Sequence, residues 1–177
     1  MKQRILFTIV LVLSWPWATF AHGPTPQKAK AEVVIEATPE AVWQVLEDFA
    51  GIASWHPDIE ASTGDGVHAS GGIRTLTFKG GEQLKDELDY YNAEQRQYNY
   101  RLKETNFKAL PVSSYSVKLT VVPEGAGSKA AFKARFYRAD TGNTPPEHLN
   151  DAAAVSAMTA YLQRGLDGLK QAVANNR

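Results

Sequence analysis

The run Trp55-His56-Pro57-Asp58 contains the residue types best suited to acid–base chemistry. An imidazole titrates near neutral pH, and a carboxylate two positions along the chain could orient it as a general base. In the alternative interpretation, Trp55 closes one end of the core and His56 is a solvated turn residue. Hydrolysis or cyclisation also needs an acid or electrophile facing the same space, and the sequence identifies no such partner. The structural interpretation is therefore favoured.

Arg74 and four tyrosines form the second group of candidates. A strand arginine can pair with a carboxylate on the neighbouring strand, and Asp86 and Glu87 are the candidates for such a pair. Tyr98 and Tyr100 share one face of a strand, where their rings could line an apolar pocket and their hydroxyls could orient a ligand. Ordinary core packing explains the same pattern and is slightly favoured. The four tyrosines are Tyr90, Tyr91, Tyr98 and Tyr100.

Common catalytic signatures are missing from the sequence. It has no phosphate-binding P-loop, no dinucleotide-binding GxGxxG after a strand, no GxSxG nucleophile elbow and no HExxH metal motif. Cysteine is also absent, which excludes disulfides and thiolate zinc sites. We therefore expect no cofactor.

Seven segments have the pattern of strands. Apolar residues alternate along several of them, which is the period of a sheet with one buried face. Short connections, several of them glycine-rich, favour hairpins and an antiparallel sheet. The predicted strands cover residues 29–37, 58–67, 72–79, 82–92, 95–104, 112–122 and 128–138.

Three further segments have helical patterns. Thr38-Pro39-Glu40 is a good helix start, because threonine can cap free amides and proline fits the first helical position. Residues 52–57 suggest a short helix or turn, and residues 148–175 form a long amphipathic pattern. The predicted fold is α+β, with a curved antiparallel sheet of about seven strands wrapped around the long C-terminal helix. A ligand cavity would form between sheet and helix.

The first 21 residues have the three-part pattern of a secretory signal peptide. Met1-Lys2-Gln3-Arg4 is basic, and residues 5–13 are an apolar run that is too short for a membrane span. Ala18-Thr19-Phe20-Ala21 supplies small residues for cleavage. The expected product is periplasmic, with no membrane span after cleavage. It has an extended leader at residues 22–28 and a single domain at residues 29–177.

Cleavage changes both the charge and the N-terminus. It removes two of the 19 basic residues and none of the 19 acidic ones, which leaves a net charge of −2. Such a domain gives no indication of nucleic-acid binding, and it would be steered only slightly toward a basic patch on a partner. The new N-terminal His22 could chelate copper through its amine and imidazole. His56, His68 and His148 are far apart in the sequence, so no specific metal site is expected.

Four stretches, together with the order of elements, resemble the SRPBCC superfamily. They are ATPEAVWQVLEDFAGIASWHPDI (residues 37–59), GGIRTLTFKGG (71–81), DYYNAEQRQYNYRL (89–102) and ALPVSSYSVKLTVVP (109–123). Members of this superfamily share the helix-grip fold of START lipid-transfer domains, birch-pollen allergens and polyketide cyclases. The first stretch is similar to the polyketide cyclase-like branch in particular.

The resemblance implies a hydrophobic cavity. In this superfamily the second helix and the following loop form part of the cavity mouth, so Trp55 could contact a ligand. Arg74 matches a Gly-x-x-Arg pattern that often begins the third strand, and it could bind a carboxylate or enolate oxygen in the cavity. The predicted ligand-binding set is Trp55, Arg74, Tyr90, Tyr98 and Tyr100. If the protein is an enzyme, the active groups would be His56, Asp58 and Arg74.

The leader, the HGPTP start and the length are similar to exported members of this branch that assist bacterial methanol oxidation. The resemblance implies a non-catalytic accessory protein that docks on methanol dehydrogenase and promotes electron transfer to its c-type cytochrome. Two alternatives stay open. One is a cyclase, dehydratase or hydrolase-like enzyme acting on a small hydrophobic substrate, and the other is a lipid or quinone carrier.

Overall fold

The computed structural model describes residues 23–176, so the expected signal peptide, His22 and Arg177 lie outside the described residues. The helices are α1 (Pro39–Leu46), α2 (Asp151–Asn175) and two 3-10 helices at Phe49–Ser54 and Glu147–Leu149. The strands are β1 (Gln27–Ile35), β2 (Ile59–Gly64), β3 (Ile73–Phe78), β4 (Gln83–Asn92), β5 (Gln97–Glu104), β6 (Val112–Glu124) and β7 (Gly127–Arg138).

The seven strands form one antiparallel sheet in the order β1-β7-β6-β5-β4-β3-β2. Strands β2 to β7 follow one another as hairpins, and β1 closes the far edge by pairing with β7. This pairing extends β1 back to Gln27, opposite Phe136, so the strand begins two residues before the predicted start at Ala29. The predicted curved sheet around a long C-terminal helix is confirmed.

Both α-helices begin where the sequence supplies a cap. The Thr38 hydroxyl accepts a hydrogen bond from the Ala41 amide at 3.3 Å, and the Asn150 side chain accepts one from the Ala153 amide at 2.9 Å. Each bond satisfies an amide that the first helical turn leaves without an internal partner. None of the helices in residues 23–176 is both long and apolar enough to cross a membrane.

The core lies between the sheet and α2. The apolar face of α2 is buried there, and each fully buried leucine contributes about 1.5–3 kcal/mol relative to an exposed one. In the described part of the chain, four polar residues are buried with this core, which is an unusual environment for charged groups. They are His56, Arg74, Asp86 and Ser128.

Candidate functional site

Arg74 and Asp86 lie opposite each other on neighbouring strands and point into the core. Arg74 on β3 is 1% exposed, and Asp86 on β4 is 0% exposed. The Nε and Nη2 atoms of Arg74 donate to Asp86 Oδ2 at 2.9 and 2.8 Å, and Nη1 donates to the Phe49 carbonyl at 2.8 Å. The predicted cross-strand ion pair is therefore present, with Asp86 rather than Glu87 as the partner.

Tyr115 on β6 completes this buried network. Its hydroxyl donates to the second carboxylate oxygen of Asp86, so both oxygens of that group have partners. Burial raises the pKa of Asp86, although the Arg74 guanidinium opposes the shift. Burial is the largest single influence on Arg74 and acts against its charge, but the Asp86 carboxylate and the surrounding tyrosines together raise the pKa of the guanidinium. The pair is thus held as an ion pair within the core.

Aromatic rings enclose the guanidinium. The Cζ atom of Arg74 lies 4.0 Å from the centroid of the Phe49 ring and 4.6 Å from that of Tyr100, which are cation–π distances. Tyr98 packs against Phe49 and Tyr100, with centroid separations of 5.8 and 6.1 Å. Burial raises the pKa of Tyr98 to about 12, so its hydroxyl stays neutral at physiological pH. Arg74, Tyr98 and Tyr100 of the predicted set are therefore brought together.

Tyr90 lies on the opposite face of the sheet from this cluster. An irregularity in the β4–β5 register between Leu88 and Tyr90 interrupts the alternation of β4. Tyr91 consequently faces Trp43 at 5.7 Å, whereas Tyr90 is 38% exposed. The hydroxyl of Tyr90 donates to the Gln95 side chain. The prediction that Tyr90 binds a ligand together with Tyr98 and Tyr100 therefore needs correction, because a bulge turns Tyr90 away from them.

His56 is buried beneath α2, and both of its ring nitrogens have protein partners. The Asp58 amide donates to Nδ1 at 3.2 Å, which assigns the ring proton to Nε2. Nε2 then donates to the Tyr161 carbonyl at 3.2 Å, and the two rings stack at 4.3 Å. Burial lowers the pKa of His56 from 6.5 to about 4. The interpretation of His56 as a solvated turn residue is wrong, since only 3% of it is exposed.

The carboxylate of Asp58 is bound to α2 and not to the imidazole. Arg164 Nε donates to both carboxylate oxygens at 2.9 Å, and Arg164 Nη2 lies 2.7 Å from Oδ2. Only the backbone amide of Asp58 contacts His56. The structure therefore does not form the carboxylate–imidazole pair that an oriented base needs. Arg74 lies near enough for its charge to help lower the pKa of His56, but its hydrogen bonds go to Asp86 and the Phe49 carbonyl. The three predicted active groups therefore do not converge through direct contacts.

Two glycines allow α2 to approach the loop that carries Trp55 and His56. A Cβ atom at Gly168 would overlap the Trp55 carbonyl, and one at Gly165 would lie 2.8 Å from Cδ2 of His56. Trp55 itself is 5% exposed and stacks on Phe132 at 6.5 Å. Trp55 thus closes the core beside α2, as the structural alternative predicts.

A pocket of about 350 Å³ opens between α2, the β3–β4 hairpin and the loop before β6. The Asp58–Arg164 ion pair and Lys79 supply its charged side chains. Tyr161 connects this pocket to the buried His56, because the Tyr161 ring stacks on His56 and its centroid lies 5.9 Å from that of Phe78. Apolar walls with a few polar groups are typical of small-molecule sites. The apolar lining is Phe78, Ala109, Leu110 and Tyr161.

Sequence reasoning missed Tyr161 and Arg164. Both lie on the predicted long helix, and Tyr161 directly precedes Leu162 in its apolar face. The helical spacing could have identified Tyr161 as buried. Nothing in the sequence pairs Arg164 with Asp58, because 106 residues separate them.

Metal ligands do not cluster in the described part of the chain. Within residues 23–176, no group of three or more His, Cys, Asp or Glu side chains could hold a metal ion. The copper-binding hypothesis for His22 concerns a residue outside the described ones.

Similar folds occur in several solved structures. An uncharacterized protein from Bacillus thuringiensis is 22% identical, with a TM-score of 0.69 over 84% of this chain and 99% of that one. The protein XoxI from Bacillus cereus is also 22% identical, with a TM-score of 0.70 over 84% and 96%. A protein from Thermus thermophilus is 17% identical, with a TM-score of 0.67 over 85% and 99%. At these identities the likeness shows the fold alone.

The family assignment comes from the sequence profile described as polyketide cyclase / dehydrase and lipid transport, which matches residues 26–174. No curated protein matches the chain significantly. The profile covers all seven strands and nearly the whole of α2, and the SRPBCC-type resemblance is thereby supported. The chain belongs to the polyketide cyclase / dehydrase and lipid transport family.

Proposed function

We propose that this protein is a non-catalytic binding and accessory protein. The observation that carries the proposal is that the buried groups suited to chemistry are already bonded to one another or to the backbone. Arg74 is held by Asp86 and the Phe49 carbonyl, Asp86 is held by Tyr115, and His56 uses both ring nitrogens to join its loop to α2. A general base or an oxyanion-binding group needs a free face toward substrate.

The ligand in this proposal is small and mainly apolar, with one polar end. The pocket beside Tyr161 offers apolar walls from Phe78, Ala109 and Leu110. Lys79 and the Asp58–Arg164 pair stand at the same pocket and would select the polar end. Burial of apolar surface would supply most of the affinity.

Occupation of this pocket is testable with the apolar fluorophore 1-anilinonaphthalene-8-sulfonate. Ala109→Trp should fill the pocket and weaken binding by about tenfold, since it removes apolar contact area worth ~1–2 kcal/mol. Val122→Trp, at a 40% exposed position on the opposite face of the sheet, is the matched control and should bind as the wild type does. Equal binding by both tryptophan variants and the wild type would show that the ligand site lies elsewhere.

The cellular role in this proposal is assistance to methanol dehydrogenase and its c-type cytochrome in the periplasm. The support is the signal-peptide pattern of residues 1–21 and the resemblance of the leader and length to exported methanol-oxidation accessory proteins. The test is cytochrome-linked methanol oxidation with and without the purified protein. An increased rate supports the role. An unchanged rate together with no co-purification contradicts it.

An enzyme of cyclase or dehydratase type is the second candidate, favoured by the family to which the chain belongs. It requires that His56→Ala abolish turnover of a small hydrophobic substrate while the domain stays folded. The bonding of both imidazole nitrogens favours the accessory role over this candidate.

A further inference from the structure

The outer face of the sheet, away from α2, carries an open trough whose lining includes five cations. The trough has a volume of about 560 Å³ and crosses β1, β7 and β6 to reach β5. Ser116 and Asn99 contribute small or polar side chains to its lining. We call this surface the basic face, and its five cations are Lys28, Lys30, Lys118, Lys133 and Arg135.

The strand register sets these cations directly opposite one another. Lys133 lies between Lys30 on β1 and Lys118 on β6, and Lys28 is opposite Arg135. Like charges in such positions destabilise a sheet. Three such like-charge pairs on one surface reduce the stability of the sheet, which indicates that these cations serve binding and not folding.

Compensating acids are scarce on the basic face. Among residues 23–176, the salt bridges include only one of the five cations, Lys30, which pairs with Glu32 on its own strand. Asp89 also lines the trough, but it pairs with Arg101. The other four cations are exposed, so the face presents a concentrated positive charge to solvent.

This concentration runs against the balance of the whole chain, which carries 19 basic and 19 acidic residues. A neutral protein with its positive charge gathered on one face is suited to steering an oppositely charged partner into one orientation. Tyr90 borders the face beside Asn99 and is 38% exposed. Exposed tyrosine and arginine together are typical of protein–protein interfaces.

We propose that the basic face docks an acidic, protruding surface of a partner protein. Charge complementarity identifies the chemistry of the partner, and the recessed trough favours a protruding protein segment over a planar bilayer. The inference rests on the proposed accessory role and gives that role a contact surface. The net charge alone suggested that an acidic domain would meet a basic patch on a partner. The basic face implies the opposite arrangement, in which this protein supplies the basic surface.

The test is binding of poly-L-glutamate to the protein purified as its host exports it, measured at low and at physiological ionic strength. Lys118→Glu/Lys133→Glu should weaken this binding by about tenfold or more, and added salt should weaken wild-type binding. The matched control, Lys108→Glu/Lys170→Glu, reverses two exposed lysines elsewhere and should bind as the wild type does. In Lys118→Glu/Lys133→Glu, positions 118 and 133 still face each other with like charge, but position 133 now faces Lys30 with opposite charge. The Tm should therefore stay at or above that of the wild type, and misfolding would not explain lost binding.

Equal binding by the wild type and Lys118→Glu/Lys133→Glu would overturn the proposal. Tighter binding to phosphatidylglycerol vesicles or to duplex DNA than to poly-L-glutamate would also overturn it. The methanol-oxidation assay separates this proposal from the accessory role. If the wild type and the variant raise the rate of methanol oxidation equally, docking through the basic face is refuted and the accessory role is retained. If neither protein raises the rate but only the variant loses poly-L-glutamate binding, the methanol-oxidation role is refuted and the proposal that the basic face binds acidic partners is retained.

Discussion

Arg74 and Asp86 show how a charged pair can serve the fold from inside the core. Each ion loses its hydration on burial, and the loss is offset here by mutual hydrogen bonds, the Tyr115 hydroxyl and the ring of Phe49. The sequence indicated a cross-strand partner for Arg74 at Asp86 or Glu87, because cross-strand partners follow from hairpin register, and the structure selects Asp86. It gave no sign of Tyr115, which lies 29 residues beyond Asp86 on a non-adjacent strand.

Removal of one member of this pair should be strongly destabilising. Arg74→Met leaves the Asp86 carboxylate buried without its cation, and we expect the free energy of unfolding to fall by about 3–5 kcal/mol. The triple variant Arg74→Met/Asp86→Leu/Tyr115→Phe removes all three polar groups and should recover most of that loss. Urea unfolding of the three proteins measures both effects. An Arg74→Met variant as stable as the wild type would contradict this account.

The buried His56 should make stability depend on pH. Its pKa is about 4 in the folded protein and near 6.5 in the unfolded chain, so the unfolded state binds more protons between these values. The free energy of unfolding should therefore fall by about 3 kcal/mol as the pH drops from 6.5 to 4. His56→Gln should flatten this part of the profile. A wild-type profile already flat between pH 6.5 and 4 would show that His56 is protonated in the folded state.

The contact between α2 and the loop at residues 55–58 decides where Trp55 and His56 point. The sequence predicted α2 because apolar residues repeat at helical spacing. Gly165 and Gly168 gave no comparable signal, since an isolated glycine in a helical pattern indicates only a low helix propensity. Their function becomes visible when the loop backbone is found against them. The outward Tyr90 has a similar cause, because a bulge depends on the partner strand.

Gly168→Ala should therefore destabilise the protein although alanine is the better helix former. The added methyl would overlap the Trp55 carbonyl, and separation of loop and helix should cost about 1–3 kcal/mol. Gly80→Ala is the control, because no atom lies within 4 Å of the position that its added methyl would take and its φ is not positive. Thermal unfolding should show a lowered Tm only for Gly168→Ala. Equal Tm values for the two variants would mean that this contact is not tight.

The whole molecule combines a sheet that faces α2 on one side and a partner-facing surface on the other. The fold was predictable from sequence because period-two strands, short hairpins and one long amphipathic helix permit few arrangements. The distribution of charge was not predictable from composition. Lys118 and Lys133 are partners in the β6–β7 hairpin, but Lys30 lies far from both along the chain, and only the order β1-β7-β6 places the three in one row.

For the whole molecule, we expect the protein to act through contact with its partners and not through chemistry at His56. The most direct measurement is the rate of cytochrome-linked methanol oxidation with the wild type, with folded His56→Gln and without addition. We expect both proteins to raise the rate equally, because the imidazole serves to hold the loop against α2. A folded His56→Gln that no longer raises the rate, or a wild type that never does, would contradict the account.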